Sequence, residues 1–134
     1  NALIAALSDI RLKKDIHLAD KNVLNNLLSL TPVNWRWRAD EFPKMGLPAN
    51  EEQFGLIAQE VEKVFPGLVI TGPDGFKRIK VQELPFYIIA AMKEQQRQIE
   101  DLKTGLAEQI KVLQAQVMSL QARTAPAATA NGAR

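Results

Sequence analysis

The sequence predicts an α+β fold, a small mixed globular domain of short strands and helices followed by a long C-terminal helix. Three observations predict it. Val33, Trp35 and Trp37 alternate with Asn34, Arg36 and Arg38, the period of a strand with one face covered. Gly72-Pro73-Asp74-Gly75 separates two β-prone runs, Leu68 to Thr71 and Phe76 to Val81, as a hairpin turn does. From about Gln82 to Arg123 the apolar residues fall three and four apart, the spacing of a helix.

In chain order, residues 8 to 18 read as extended, with Ile10, Leu12, Ile16 and Leu18 alternating with polar neighbours. Asp20 is placed as an N-cap for a helix through Leu30, with Val23, Leu24, Leu27 and Leu28 on one face and Pro32 as its stop. The strand from Val33 follows, its tryptophans expected in the core and its arginines facing water or a neighbouring subunit. Pro43, Gly46, Pro48 and Asn50 mark residues 39 to 52 as a loop. Gly55 leads into Leu56, Ile57, Ala58, Val61 and Val64, a short amphipathic helix ended by Pro66-Gly67. In the hairpin turn, Pro73 pre-sets one dihedral and Gly75 is free to take positive φ.

In the long helix, Ile99, Leu102, Leu106, Ile110, Leu113, Val117 and Leu120 form a heptad-like seam with a stutter between Leu106 and Ile110. Gln95 occupies a polar seam position and Gly105 weakens the helix locally. Residues 86 to 92, Phe-Tyr-Ile-Ile-Ala-Ala-Met, are apolar on every face and are expected to be buried against both the globular part and partner helices. The seam residues alone lean towards a dimer. A globular part of about 80 residues supplies little net stability and cannot cover roughly 50 Å of helix, so self-association is expected. Residues 124 to 134 lack periodicity and are expected to be disordered.

Composition closes off several chemistries. The chain has 134 residues, 17 basic and 15 acidic, for a net charge of +2, which gives no basic footprint for nucleic acid. There is no cysteine and one histidine, so neither a disulfide framework nor a Cys- or His-based metal site is expected. No apolar run is long enough to span a membrane, and Asn1 to Leu7 lack the features of a signal peptide. No phosphate loop or paired-carboxylate motif occurs, and no cofactor is expected. Asn1 is not an initiator methionine, so the chain is expected to be a piece of a longer protein.

The chemistry that remains is near the start. Ser8 lies five residues before Lys13, and serine and lysine form a known nucleophile and base pair. Spacing alone does not make them one. In a regular strand, residues five apart point to opposite faces, so a pair needs a bend, a bulge or a neighbouring subunit's lysine. A base must also be a neutral amine, which burial favours. Asp9 and Asp15 can orient a base or cap a turn, the turn role being favoured, and His17 is expected to be a surface or half-buried strand residue rather than a catalyst.

Three segments together resemble the self-cleaving C-terminal intramolecular chaperones of phage tailspikes, endosialidases and tail fibres. A related domain occurs in membrane-bound myelin regulatory transcription factors, but nothing in this chain supplies a DNA-binding module or a membrane span. Ser8-Asp9-Ile10-Arg11-Leu12-Lys13-Lys14-Asp15-Ile16 is similar to the family's Ser-Asp-x-Arg-Leu-Lys-x-Asn-Ile start, with Asp15 where Asn is usual. Gly55-Leu56-Ile57-Ala58-Gln59-Glu60-Val61, running on to Pro66, is similar to its Gly-x-Ile-Ala-Gln-Glu-Val pattern. Tyr87 to Glu94 resembles its entry to the terminal helix. Gln53 stands where many members carry a histidine.

The resemblance implies a homotrimer with a coiled-coil helix, overriding the dimer lean of the seam. It implies Ser8 as nucleophile, Lys13 as general base and a cut between Leu7 and Ser8, with Asp9, Arg11 and Gln59 as supporting motif residues. The implied organisation is the end of an upstream fibre or tailspike body at 1–7, an auto-processing chaperone domain at 8–81, a trimerisation helix at 82–123 and a tail at 124–134. Such a protein is a virion tail precursor made in the host cytoplasm, and its partner is the upstream part of its own polypeptide. The alternative is a structural trimerisation domain of a tail fibre that does not cut itself.

Overall fold

A computed structural model of the chain describes residues 5–125. Among these, three helices, α1 (Val23–Leu28), α2 (Ala58–Val64) and α3 (Leu84–Thr124), alternate with two antiparallel pairs of short strands. One pair joins β1 (Val33–Trp35) to β2 (Gln53–Gly55), the other β3 (Val69–Thr71) to β4 (Lys77–Ile79). This is the α+β arrangement expected, with the long helix last. The chain divides into two compact units between Met92 and Lys93, so the first turns of α3 belong to the globular unit. The disorder expected of the tail concerns residues that, from 126 onward, lie outside the described part, as do residues 1–4.

The core is small. Val61 and Leu68 are completely buried, and Val23, Leu24, Phe65 and Ala91 nearly so. Leu27, Leu30, Leu56, Val64, Val69, Ile79, Leu84, Tyr87 and Ala90 pack around them. The Phe65 and Tyr87 rings meet edge-on at 4.9 Å, an arrangement that matches ring edge to ring face. Every helix and the β3–β4 pair contributes to this one cluster, which is why short elements hold together.

Specific polar ties join the pieces. Asn26 Nδ2 donates to the Val64 carbonyl at 3.3 Å, satisfying an acceptor at the C-terminal end of α2. Lys77 and Glu62 form an ion pair at 2.7 Å between β4 and α2. The Lys80 amide donates to the Leu68 carbonyl at 2.8 Å. In the turn of the second hairpin, Gly75 has φ +81°, as its sequence context requires. Asp74 accepts from the Phe76 amide and from both terminal nitrogens of Arg78, which braces the turn.

Four local expectations change. Residues 8 to 18 are not a strand: a single 3₁₀ turn, Ile10–Leu12, interrupts an irregular arm. α1 starts at Val23 with Asn22 as its cap, two residues later than expected, and the Asp20 carboxylate accepts from the Asn22 amide in the turn before it. Leu28 is exposed, so the apolar face of α1 ends with Leu27, and Leu30 packs on the core just beyond the helix. β2, three residues with a glycine among them, pairs Val33 with Gly55 and Trp35 with Gln53. The bare backbone of Gly55 lets the Trp35 ring pack closely over it, since a Cβ there would lie 3.1 Å from the ring.

Candidate active site

The arm carries the candidate chemistry. Asp9 caps the 3₁₀ turn, its carboxylate accepting from the Arg11 amide at 2.8 Å. The Leu12 amide donates to the Asp9 carbonyl and the Lys13 amide to the Ile10 carbonyl, each at 3.1 Å. This turn supplies the bend that a Ser8–Lys13 contact requires. Extended, residues five apart would be separated by about 16 Å at 3.3 Å per residue. Folded, Lys13 Nζ donates to Ser8 Oγ at 2.8 Å.

Arg11 closes the turn from outside. Its Nε and Nη2 fork onto the two Asp9 oxygens, with the shortest contact at 2.7 Å. The Arg11 guanidinium, and after it the Arg11 amide, hold the Asp9 carboxyl below the usual carboxylate range. Beyond the pair, Asp15 has φ +53°, in the left-handed region that Asn and Asp tolerate better than other side chains. His17 Nδ1 donates to the Asp15 carbonyl at 2.9 Å and stays on the arm, away from Ser8's hydrogen bond.

Leu7, Ser8 and Lys13 are all exposed in the single chain, so the Leu7–Ser8 peptide bond is open to solvent. Gln59 is exposed on α2 and is not among the hydrogen-bond partners of Ser8 or Lys13. It instead lines a cleft of about 390 Å³ with Trp37, Phe42, Met45 and Phe76. Here the expectation for the tryptophans needs correcting. Trp35 is half-buried over Gly55, but Trp37 is 39% exposed and meets Trp35 edge-on at 5.8 Å. β1 ends at Trp35, so alternation no longer holds Trp37 inward. Phe42 and Phe76 were not legible as cleft residues, because they meet edge-on at 5.6 Å from distant parts of the chain. Among the described residues no His, Cys, Asp and Glu group has the geometry of a metal site. No helix there is long and apolar enough to cross a membrane.

The second unit presents the seam. Ile99, Leu102, Leu106, Ile110, Leu113, Val117 and Leu120 are between 41% and 67% exposed, an apolar stripe without cover in the single chain. Phe86, Ile88, Ile89 and Met92 are exposed as well, while Tyr87, Ala90 and Ala91 turn to the core.

Two comparisons with known proteins agree with this anatomy. The chain is 37% identical over 105 residues to the long tail fiber protein Gp37 of Salmonella phage S16. That likeness covers 75% of this chain and 14% of the phage protein, so the chain spans about a seventh of its relative's length. A stretch of three quarters of the chain necessarily takes in the second hairpin and the first turns of α3. Residues 8–70 match the model of a peptidase family described as chaperone of endosialidase, and the match begins at Ser8 itself. Residues 8–70, which hold the Ser8-to-Lys13 arm and the Gly55-to-Val61 segment, belong to the chaperone of endosialidase family.

Proposed function

We propose that this domain is an intramolecular chaperone which trimerises an upstream phage tail fibre and then releases itself by cutting the Leu7–Ser8 bond. The observation that carries the reading is the 2.8 Å contact between Lys13 Nζ and Ser8 Oγ at the residue where the family match begins. The uncovered seam of α3 supports assembly, and the likeness to a tail fiber protein supports the kind of body upstream.

The chemistry follows from the arrangement. A protonated Lys13 donates to Ser8; a neutral Lys13 accepts the hydroxyl proton through the same contact. Leaving water favours the neutral amine, and the exposed arm leaves water when neighbouring chains cover it. Ser8 Oγ then bonds to the Leu7 carbonyl carbon while its proton moves to Lys13 Nζ. The Leu7–Ser8 C–N bond breaks, and the departing Ser8 nitrogen takes a proton back from Lys13. Water hydrolyses the resulting ester, leaving a Leu7 carboxylate and a restored Ser8 hydroxyl on a new amino terminus.

The physical reason for such a device is kinetic. Long fibrous bodies pair chains over large separations, and loop-closure entropy precedes the contacts that reward it. Three chains joined at one end search at high effective concentration instead of meeting in solution. Cutting afterwards removes the template for unfolding, so the stability of the product becomes a matter of rates. Intact mass of the domain expressed with its upstream polypeptide, beside a Ser8→Ala version, tests this. Wild type split at Leu7–Ser8 with the variant whole upholds it. Both whole while sedimenting as trimers would instead make the domain a structural clamp.

A further inference from the structure

We infer that Asp9 is a positioning residue for the Ser8–Lys13 pair, acting by capping the turn that brings the two side chains together. The inference rests on the self-cleaving reading and assigns within it a role that needs no contact with the reacting atoms.

Three features of the arm lead there. First, Asp9 alone among residues 5 to 22 is partly covered rather than exposed, although it belongs to a segment with no core of its own. Second, all three of its acceptor oxygens are used. The carbonyl accepts from the Leu12 amide, Oδ1 from the Arg11 amide and Nε, and Oδ2 from Arg11 Nε and Nη2. Third, the turn so closed is the only regular structure between Ser8 and Lys13. A three-residue 3₁₀ turn on an exposed arm has little to stabilise it except its cap. Without the cap the segment has no reason to leave the extended conformation, in which Ser8 and Lys13 cannot meet.

Arg11 has the secondary part. Its guanidinium grips the outer edge of the Asp9 carboxylate and orients it toward the Arg11 amide. Exposed ion pairs of this kind contribute little to global stability. Removing either side chain should therefore leave the fold and the assembly intact while loosening the pair, which makes the role separable from a structural one. Reaction geometry is unforgiving, because a displacement of about 1 Å can cost about a hundredfold in rate.

The test compares Asp9→Ala, Asp9→Asn and Arg11→Ala in the chain with its upstream polypeptide, following cleavage rate, sedimentation and melting. Asp9→Ala is expected to cut slower by about tenfold or more at unchanged assembly and melting temperature. Asp9→Asn keeps an oxygen for the Arg11 amide and should recover most of the rate; Arg11→Ala should fall between. In an uncut Ser8→Ala background, the Leu12 and Lys13 amides should exchange with solvent faster when Asp9 is also replaced by alanine. Wild type cutting with Asp9→Ala equally fast overturns this inference alone, as does Asp9→Asn cutting no faster than Asp9→Ala. A wild type that stays whole removes the self-cleaving reading and this inference with it.

Discussion

Ser8 and Lys13 show how little spacing says and how much one turn adds. Their separation in sequence carries no geometry; the Ile10–Leu12 turn converts it into a 2.8 Å contact. Lys14 is the neighbouring control, a lysine of the same chemistry that is not the one bonded to Ser8. Lys13→Met is therefore expected to give a folded, uncut protein, whereas Lys14→Met should cut at close to the normal rate. Equal loss from both, read by intact mass, would undo the assignment of the base. Asp15 makes a second argument at this scale. Its φ of +53° suits Asn and Asp but costs other side chains about 1–2 kcal/mol, more for a β-branched one. Asp15→Asn should leave cleavage unchanged, and Asp15→Val should slow it by about tenfold at constant melting temperature, since about 1.4 kcal/mol is a factor of ten. An Asp15→Val protein that cuts as fast as wild type would show that the bend after the pair is dispensable.

Among the elements, the second hairpin was the most legible and the β1–β2 pair the least. Gly72-Pro73-Asp74-Gly75 specifies its turn locally, and β3 and β4 pair around it. The Arg78 guanidinium, and after it the Phe76 amide, lower the Asp74 carboxyl to about 2. A carboxyl depressed in the folded state stabilises it above the unfolded value near 3.8 and loses that contribution as pH falls towards 2. Wild type should accordingly be more stable than Asp74→Asn at neutral pH, with the difference fading between pH 3.8 and 2 in denaturant titrations. A difference that persists at pH 2 would mean the brace does not depend on charge. The β1–β2 pair offered no such local signal. Gln53-Phe54-Gly55 has neither alternation nor length, and its place is decided by Trp35 covering the bare backbone of Gly55, about twenty residues away.

For the molecule as a whole, two small constructions have to cooperate: a globular unit with a handful of buried apolar side chains and a helix whose seam is open. If cutting depends on assembly, breaking the seam must stop it at a distance. Leu102, 67% exposed in the single chain, is the place to ask. Leu102→Asp is expected to abolish self-association by sedimentation and to leave the Leu7–Ser8 bond whole, with Ser8 untouched. Efficient cutting by a monomeric Leu102→Asp protein would separate the two activities. Periodicity carried the α+β class, the second hairpin and the long helix with its seam, because alternation and three-four spacing are local consequences of strand and helix geometry. The motif residues at the start carried the resemblance to the family, again through a short contiguous stretch. The 3₁₀ turn under Ser8 and Lys13, the β1–β2 pairing and the exposure of Trp37 were not legible in this way. Each depends on a competition between local preference and contact. Alternation through residues 8 to 18 reads as a strand, but among the described residues no neighbouring strand takes up its hydrogen bonds, and the Asp9 cap wins instead.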